Sequence, residues 1–141
     1  MPEAFVELRN VQKTIKGQTI VRDVNLNIAQ GQIVALCGGN GAGKSTVLRM
    51  IAGIIHPTRG EITVGGVRWK DDRMRYAEQI GYMPDDYRFA GGLTARETMA
   101  FWTKMRGVPK QRAEEALAEV GLADTGTKPV SSFSKGLRQR I

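Results

Sequence analysis

Glycines at positions 38, 41 and 43, followed at once by Lys44 and Ser45, dictate a particular chemistry. The stretch Gly38, Gly39, Asn40, Gly41, Ala42, Gly43, Lys44, Ser45 fits the pattern G-x-x-x-x-G-K-[ST] in full. Glycine carries no β-carbon, so these positions let backbone N–H groups turn inward and approach phosphate oxygens. Lys44 supplies a full positive charge for the outer phosphates of a nucleoside triphosphate. The Ser45 hydroxyl is the expected Mg²⁺ ligand, and Thr46 can donate to the innermost phosphate. The binding residues expected from the motif are therefore Gly39, Asn40, Gly41, Ala42, Gly43, Lys44, Ser45 and Thr46. A glycine-rich turn with an incidental lysine would not be expected to sit between a strand and a helix, as this stretch does.

The flanking residues supply that setting. Residues 32–37, continuously apolar from Ile33 to Cys37, lie between Gly31 and Gly38 and read as a central strand covered on both faces. In this reading Cys37, at the end of the run, is a small buried hydrophobe. After the loop, Val47, Leu48 and Ile51 recur at helical spacing, and Gly53 is placed to end the helix in a left-handed turn. Upstream, Phe5 to Leu8 and Ile20 to Ile28 alternate apolar with polar residues around a turn at Lys16, Gly17 and Gln18, which predicts antiparallel strands. Residues 61–64 and 67–69 read as a hairpin across Gly65 and Gly66. Residues 80–83 read as a short strand closed by Pro84. Beyond it the pattern turns helical. Thr94 with Glu97 makes a capping box opening a helix that carries Met99, Phe101, Trp102 and Met105. Pro109, then Ala113, Ala116, Leu117 and Val120, mark a second helix ending at Gly121, and a third opens near Ser134. The division expected is 1–84 for a β-subdomain with the phosphate-loop core and 85–141 for a helical subdomain.

Composition narrows the function classes. The 141 residues suit one domain with a sizeable core, and 25% charged residues argue against disorder. No run approaches the roughly 18 apolar residues that a spanning helix requires, and the N-terminus does not read as a signal peptide. With one cysteine no internal disulfide forms, and a reducing cytosolic setting is the simpler expectation. The net charge of +7 invites a polyanion. The basic residues are dispersed, however, and the densest group is only Lys135, Arg138 and Arg140, so a nucleic-acid partner is not expected.

With these residues in view, residues 38–46 resemble the nucleotide loop of ATP-binding cassette (ABC) proteins. Ile80, Gly81, Tyr82, Met83 and Pro84 resemble the approach to that family's Q-loop, and residues 132–140 resemble its signature motif. Three motifs in order, over nearly the entire chain, make the resemblance specific. It implies an α/β P-loop NTPase of ABC type: an antiparallel β-subdomain plus parallel core strands with a helical subdomain, truncated before the second half of the core. It also implies ATP with Mg²⁺, a dimer of nucleotide-binding domains (homo- or heterodimer), and a separate membrane-spanning transporter subunit. Location would be cytoplasmic, on the inner face of the membrane through that partner. The Lys-Gly form of the signature is similar to that of exporters. Ser134 and Gly136 would reach the γ-phosphate held by the opposite subunit, and residues 85–93 would face the membrane partner.

The chain also departs from the family pattern. Asp85 stands where the family has Gln or Glu; the shorter carboxylate can still meet Mg²⁺ or its water, while a plain turn residue is the alternative. Ile15 stands near the position of an adenine-stacking aromatic and offers only apolar contact, so ATP over GTP rests on the resemblance. His56, the single histidine, lies in the wrong place for the family's switch histidine. The family's Mg²⁺-side Asp and catalytic Glu would follow Ile141. The expectation is therefore weak nucleotide binding, little or no hydrolysis by this chain alone, and an unpaired edge on the central sheet. Two other readings stay open: a nucleotide- or partner-binding remnant that does not hydrolyse, and an ABC-type protein working outside transport.

Overall fold

In the computed structural model, residues 4–84 and 92–141 are described. The chain forms two compact units, Met1–Tyr82 and Met83–Ile141.

The first unit is built on a four-stranded antiparallel sheet in the order β2-β1-β3-β4. Strands β1 (Ala4–Ile15) and β2 (Gln18–Ala29) form a long hairpin whose two-residue turn, Lys16 and Gly17, has φ of 49° and 80°. Left-handed φ at both turn positions matches the right-handed twist of the strands. Strands β3 (Arg59–Val64) and β4 (Val67–Arg68) turn at Gly65 and Gly66 as expected, and β3 pairs with β1. Helix α1 (Lys44–Ile51) lies on this sheet. Val47 and Met50 on its inner face join Leu8, Val11, Val21 and Ile62 in a buried cluster. Its end is a Schellman motif: Gly53, with φ 71°, donates to the Met50 carbonyl and Ile54 donates to the Arg49 carbonyl.

A helix not foreseen from the pattern, α2 (Arg73–Glu78), is capped by Asp72, which accepts from the Arg75 N–H. It places Tyr76 against Val64 and Val67, with the phenol donating to the Ile51 carbonyl at 2.8 Å. Its six residues are mostly polar, too short a window for periodicity to declare itself.

Two expected core strands do not form. Residues 32–37 and 80–83 carry no strand, and Ile33, Val34, Leu36, Tyr82 and Met83 are exposed. A strand exists only within a ladder, and among the described residues none lies beside either segment. The chain leaves the sheet at Ala29, where Gln32 N–H donates to the Ala29 carbonyl and its side chain accepts from Ala29 N–H. Cys37, read as a buried hydrophobe, is exposed for the same reason.

In the second unit, α3 (Ala95–Met105) opens on the expected capping box: Thr94 accepts from Glu97 N–H, and the Glu97 side chain accepts from Thr94 N–H. The backbone and side-chain hydrogen bonds from Thr94 hold the Glu97 carboxyl below its usual range. Helix α4 (Gln111–Glu119) ends before Gly121, whose φ is 71°, and α5 (Lys135–Arg138) follows Ser134. Pro109 stands ahead of α4 rather than at its first residue, Lys110 being the cap. Ala95, Leu117, Leu122, Val130 and Phe133 form the core of this unit.

Candidate phosphate-binding site

The loop between residue 37 and α1 has the backbone that its glycines allow. Gly38, Gly41 and Gly43 have φ of 154°, 81° and 86°, the last two in the left-handed region where a side chain is strained. Ala42 N–H donates to the Gly39 carbonyl at 3.2 Å, closing the loop into a tight bend. Gly43 is the cap of α1 and has no side chain to bond the first-turn amides, and that turn carries no carboxylate. The opening N–H groups of a helix have no partner within it and sit at the positive end of its dipole, so the place is prepared for an anion.

Lys44 lies inside this bend. Its ammonium donates to the carbonyls of Gly38 at 2.6 Å and Gly39 at 2.7 Å. One charged group thus ties down the entry to the loop and brings positive charge to its mouth. Gly41 and Ser45 are exposed, while Lys44 and Thr46 are half-buried.

At the back of the loop, a β-carbon on Gly43 would stand 2.9 Å from the Ile20 carbonyl oxygen and 3.0 Å from Val21 Cγ2. The motif therefore demands glycine here for closeness as well as for φ. A reading of the sequence missed Ile20 and Val21, because nothing local links them to residues over twenty positions away.

The donor set fits a triphosphate with its metal ion. Positions 38, 39, 41 and 43 of the loop carry no β-carbon, the Lys44 ammonium is at hand, and the Ser45 hydroxyl stands on the first turn of α1. Among the described residues no cluster of His, Cys, Asp and Glu could hold a metal by itself. Mg²⁺ bound at such a loop takes phosphate oxygens and water as most of its ligands and needs no such cluster.

The remaining predicted residues are placed as follows. Ile15 ends β1 and is 43% exposed beside the hairpin turn. Asp85 lies outside the described residues, as does most of the stretch 85–93; Leu93 is exposed, and its carbonyl accepts from Val130 N–H. In the second unit Ser134 caps α5, its hydroxyl oxygen accepting from Leu137 N–H at 3.3 Å, and Gly136 is exposed. No helix among the described residues is long and apolar enough to cross a membrane.

Comparison with known proteins shows what the chain as a whole is similar to. The family model described as ABC transporter matches residues 21–141. The linearmycin resistance ATP-binding protein LnrL of Bacillus subtilis (strain 168) is 35% identical over 141 residues, covering 97% of this chain and 45% of that protein. The Fe(3+) ions import ATP-binding protein FbpC of Escherichia coli (strain K12) is 38% identical over 143 residues, covering 97% of this chain and 40% of that protein. A solved ATP binding subunit of an ABC transporter superposes with a TM-score of 0.85 at 30% identity, covering 96% of this chain and 58% of the other. The chain thus spans about half the length of the relatives it matches. With its glycine-rich loop, its motif order and these matches, the chain belongs to the ABC transporter ATP-binding family.

Proposed function

We propose that this chain binds Mg²⁺–ATP at residues 39–46 as part of an ATPase subunit that powers a separate membrane transporter, of the exporting kind. The observation that supports it best is the closed loop around Lys44, with left-handed glycines at 41 and 43 leading into the start of α1. In this reading the amides of residues 41–46 receive phosphate oxygens, Lys44 offsets the charge of the outer phosphates, and Thr46 donates to the innermost one. Mg²⁺, when bound through Ser45 and Asp85, neutralises charge on the terminal phosphates. Ile15 gives the base an apolar contact without stacking. Ser134 and Gly136 serve a second subunit's nucleotide in a dimer of these domains. Export is favoured by the Lys135–Gly136 form of the signature and by the resistance protein among the relatives, against the iron importer among them.

Titration calorimetry of the 141-residue chain with Mg²⁺–ATP tests the site. The expected outcome is millimolar-range binding that Lys44→Ala weakens by about a hundredfold, the worth of roughly 2.7 kcal/mol from a charge-assisted contact. Absence of binding by a folded sample, or binding indifferent to Lys44→Ala, rejects the proposal. A single-turnover hydrolysis assay separates an ATPase from a nucleotide-binding remnant; Lys44-dependent turnover would overturn the expectation of a chain inactive on its own.

A further inference from the structure

We infer that Val21, with the Ile20 carbonyl beside it, is a positioning residue for the phosphate cradle: a strut from β2 that fixes Gly43 and so aims the amides of residues 43–46. The inference rests on the reading of the loop as a phosphate site, and goes beyond it by assigning a role to a strand outside the motif.

The loop is open on one side and backed on the other. A β-carbon added at Gly39 or Gly41 would meet nothing within 4 Å. At Gly43 it would meet Ile20 O at 2.9 Å and Val21 Cγ2 at 3.0 Å. The strand therefore abuts the loop at the residue just before Lys44, where the glycine bend passes into the helix. Val21 is 5% exposed and belongs to the cluster that also holds Val47 and Met50 of α1. Val47 N–H in turn donates to the Gly43 carbonyl at 2.9 Å. One valine thus touches the loop's last bend and packs in the core beneath the first turn of the helix. Lys44 ties the entry of the loop through Gly38 and Gly39, and Val21 holds its exit.

This support matters because several amides must converge on a few oxygens at once. A cradle free to rock by part of an ångström must be ordered at each binding event, and affinity falls accordingly. Core packing alone has a different signature: its loss lowers the melting temperature but leaves affinity intact while the protein is folded.

The test measures dissociation constants for Mg²⁺–ATP and for inorganic tripolyphosphate, which has no base, well below each variant's melting temperature. Val21→Ala is expected to weaken both ligands by roughly tenfold, a loosened cradle being felt by the phosphates alone. Val21→Ile, which keeps both branches of the β-carbon, should bind as the wild type does. Ile62→Val, which trims the same cluster from β3 against Leu8 of β1, should lower the melting temperature without changing either constant. If Val21→Ala proves unfolded by circular dichroism, Val21→Cys, with one γ branch removed, takes its place with a few-fold loss expected. Unchanged constants in the Val21 variant, or an equal loss in Ile62→Val, overturn the strut while leaving the phosphate site standing. Failure of the wild type to bind either ligand overturns both.

Discussion

Residues 38–45 and the six residues before them are neighbours in the chain with opposite fates. The loop closes on itself: Lys44 reaches Gly38 and Gly39, Ala42 reaches Gly39, and the glycines take the conformations that their type permits. The run 32–37 is just as emphatic in its apolar residues, yet it forms no ladder and Ile33 lies fully in water. Every partner that the loop needs is within a few residues, apart from the strut from β2. A strand needs partners that its own residues cannot supply. Short-range chemistry completes itself, and a ladder waits on another part of the sheet.

Gly43→Ala presses hardest on the closed side of this contrast. A β-carbon there meets a backbone carbonyl at 2.9 Å on a residue whose φ is 86°, so the loop must shift. The expected outcome is loss of nucleotide binding by roughly a hundredfold with a stability cost of about 2 kcal/mol. Calorimetric titration and thermal melting measure the two. Affinity within twofold of wild type would show that the loop is not held where the structure puts it.

A pair of substitutions compares buried and unburied apolar residues directly. Val47→Ala, in the cluster beneath α1, should cost about 2–3 kcal/mol in urea unfolding, from lost transfer and a cavity. Ile33→Asp should cost almost nothing and reduce aggregation, because Ile33 is exposed in this chain. A large loss on Ile33→Asp would mean that the run is packed after all.

A smaller effect is expected at Tyr76. Burial pushes its phenol up to about 12, above the ordinary value near 10, so the folded state favours the protonated form. Its contribution is present in full below pH 10 and declines from there towards 12, as the unfolded chain ionises first. Tyr76→Phe removes the bond to the Ile51 carbonyl, costs about 1 kcal/mol at neutral pH, and flattens that alkaline decline. An unchanged alkaline slope in the variant would detach Tyr76 from it.

The smallest effect is at the cap of α3. Because the bonds from Thr94 hold the Glu97 carboxyl low, its contribution is present above the ordinary carboxylate range and fades as pH falls through the depressed value. Glu97→Gln should lose little stability at pH 7 and nothing relative to wild type in strong acid, as read from melting temperatures across the acid range. A difference that grows with acidity would contradict the sign.

Much of this is legible in the sequence. The hairpin turn at Lys16 and Gly17, the glycine pair at 65 and 66, the stop at Gly53, the capping box at Thr94 and the cap at Ser134 all appear where their residue types require. Helix α2 was not legible, being a short polar segment held by Asp72 and by the burial of one tyrosine. Cys37 and the segments 32–37 and 80–83 differ from their sequence expectation, being exposed or without a ladder, since an apolar run reports only that it would be buried if something covered it.

The sequence by itself determined the closed glycine loop at 38–45, because glycine at set spacings, one lysine and a helix start specify that geometry within a few residues. It also determined the family, because three such local motifs follow in order. Only the tertiary structure decided which apolar residues form the core, and that β2 leaves no room for a β-carbon at Gly43. Those facts depend on contacts between residues far apart in the chain, where packing and hydrogen-bond partners are assigned by the fold as a whole.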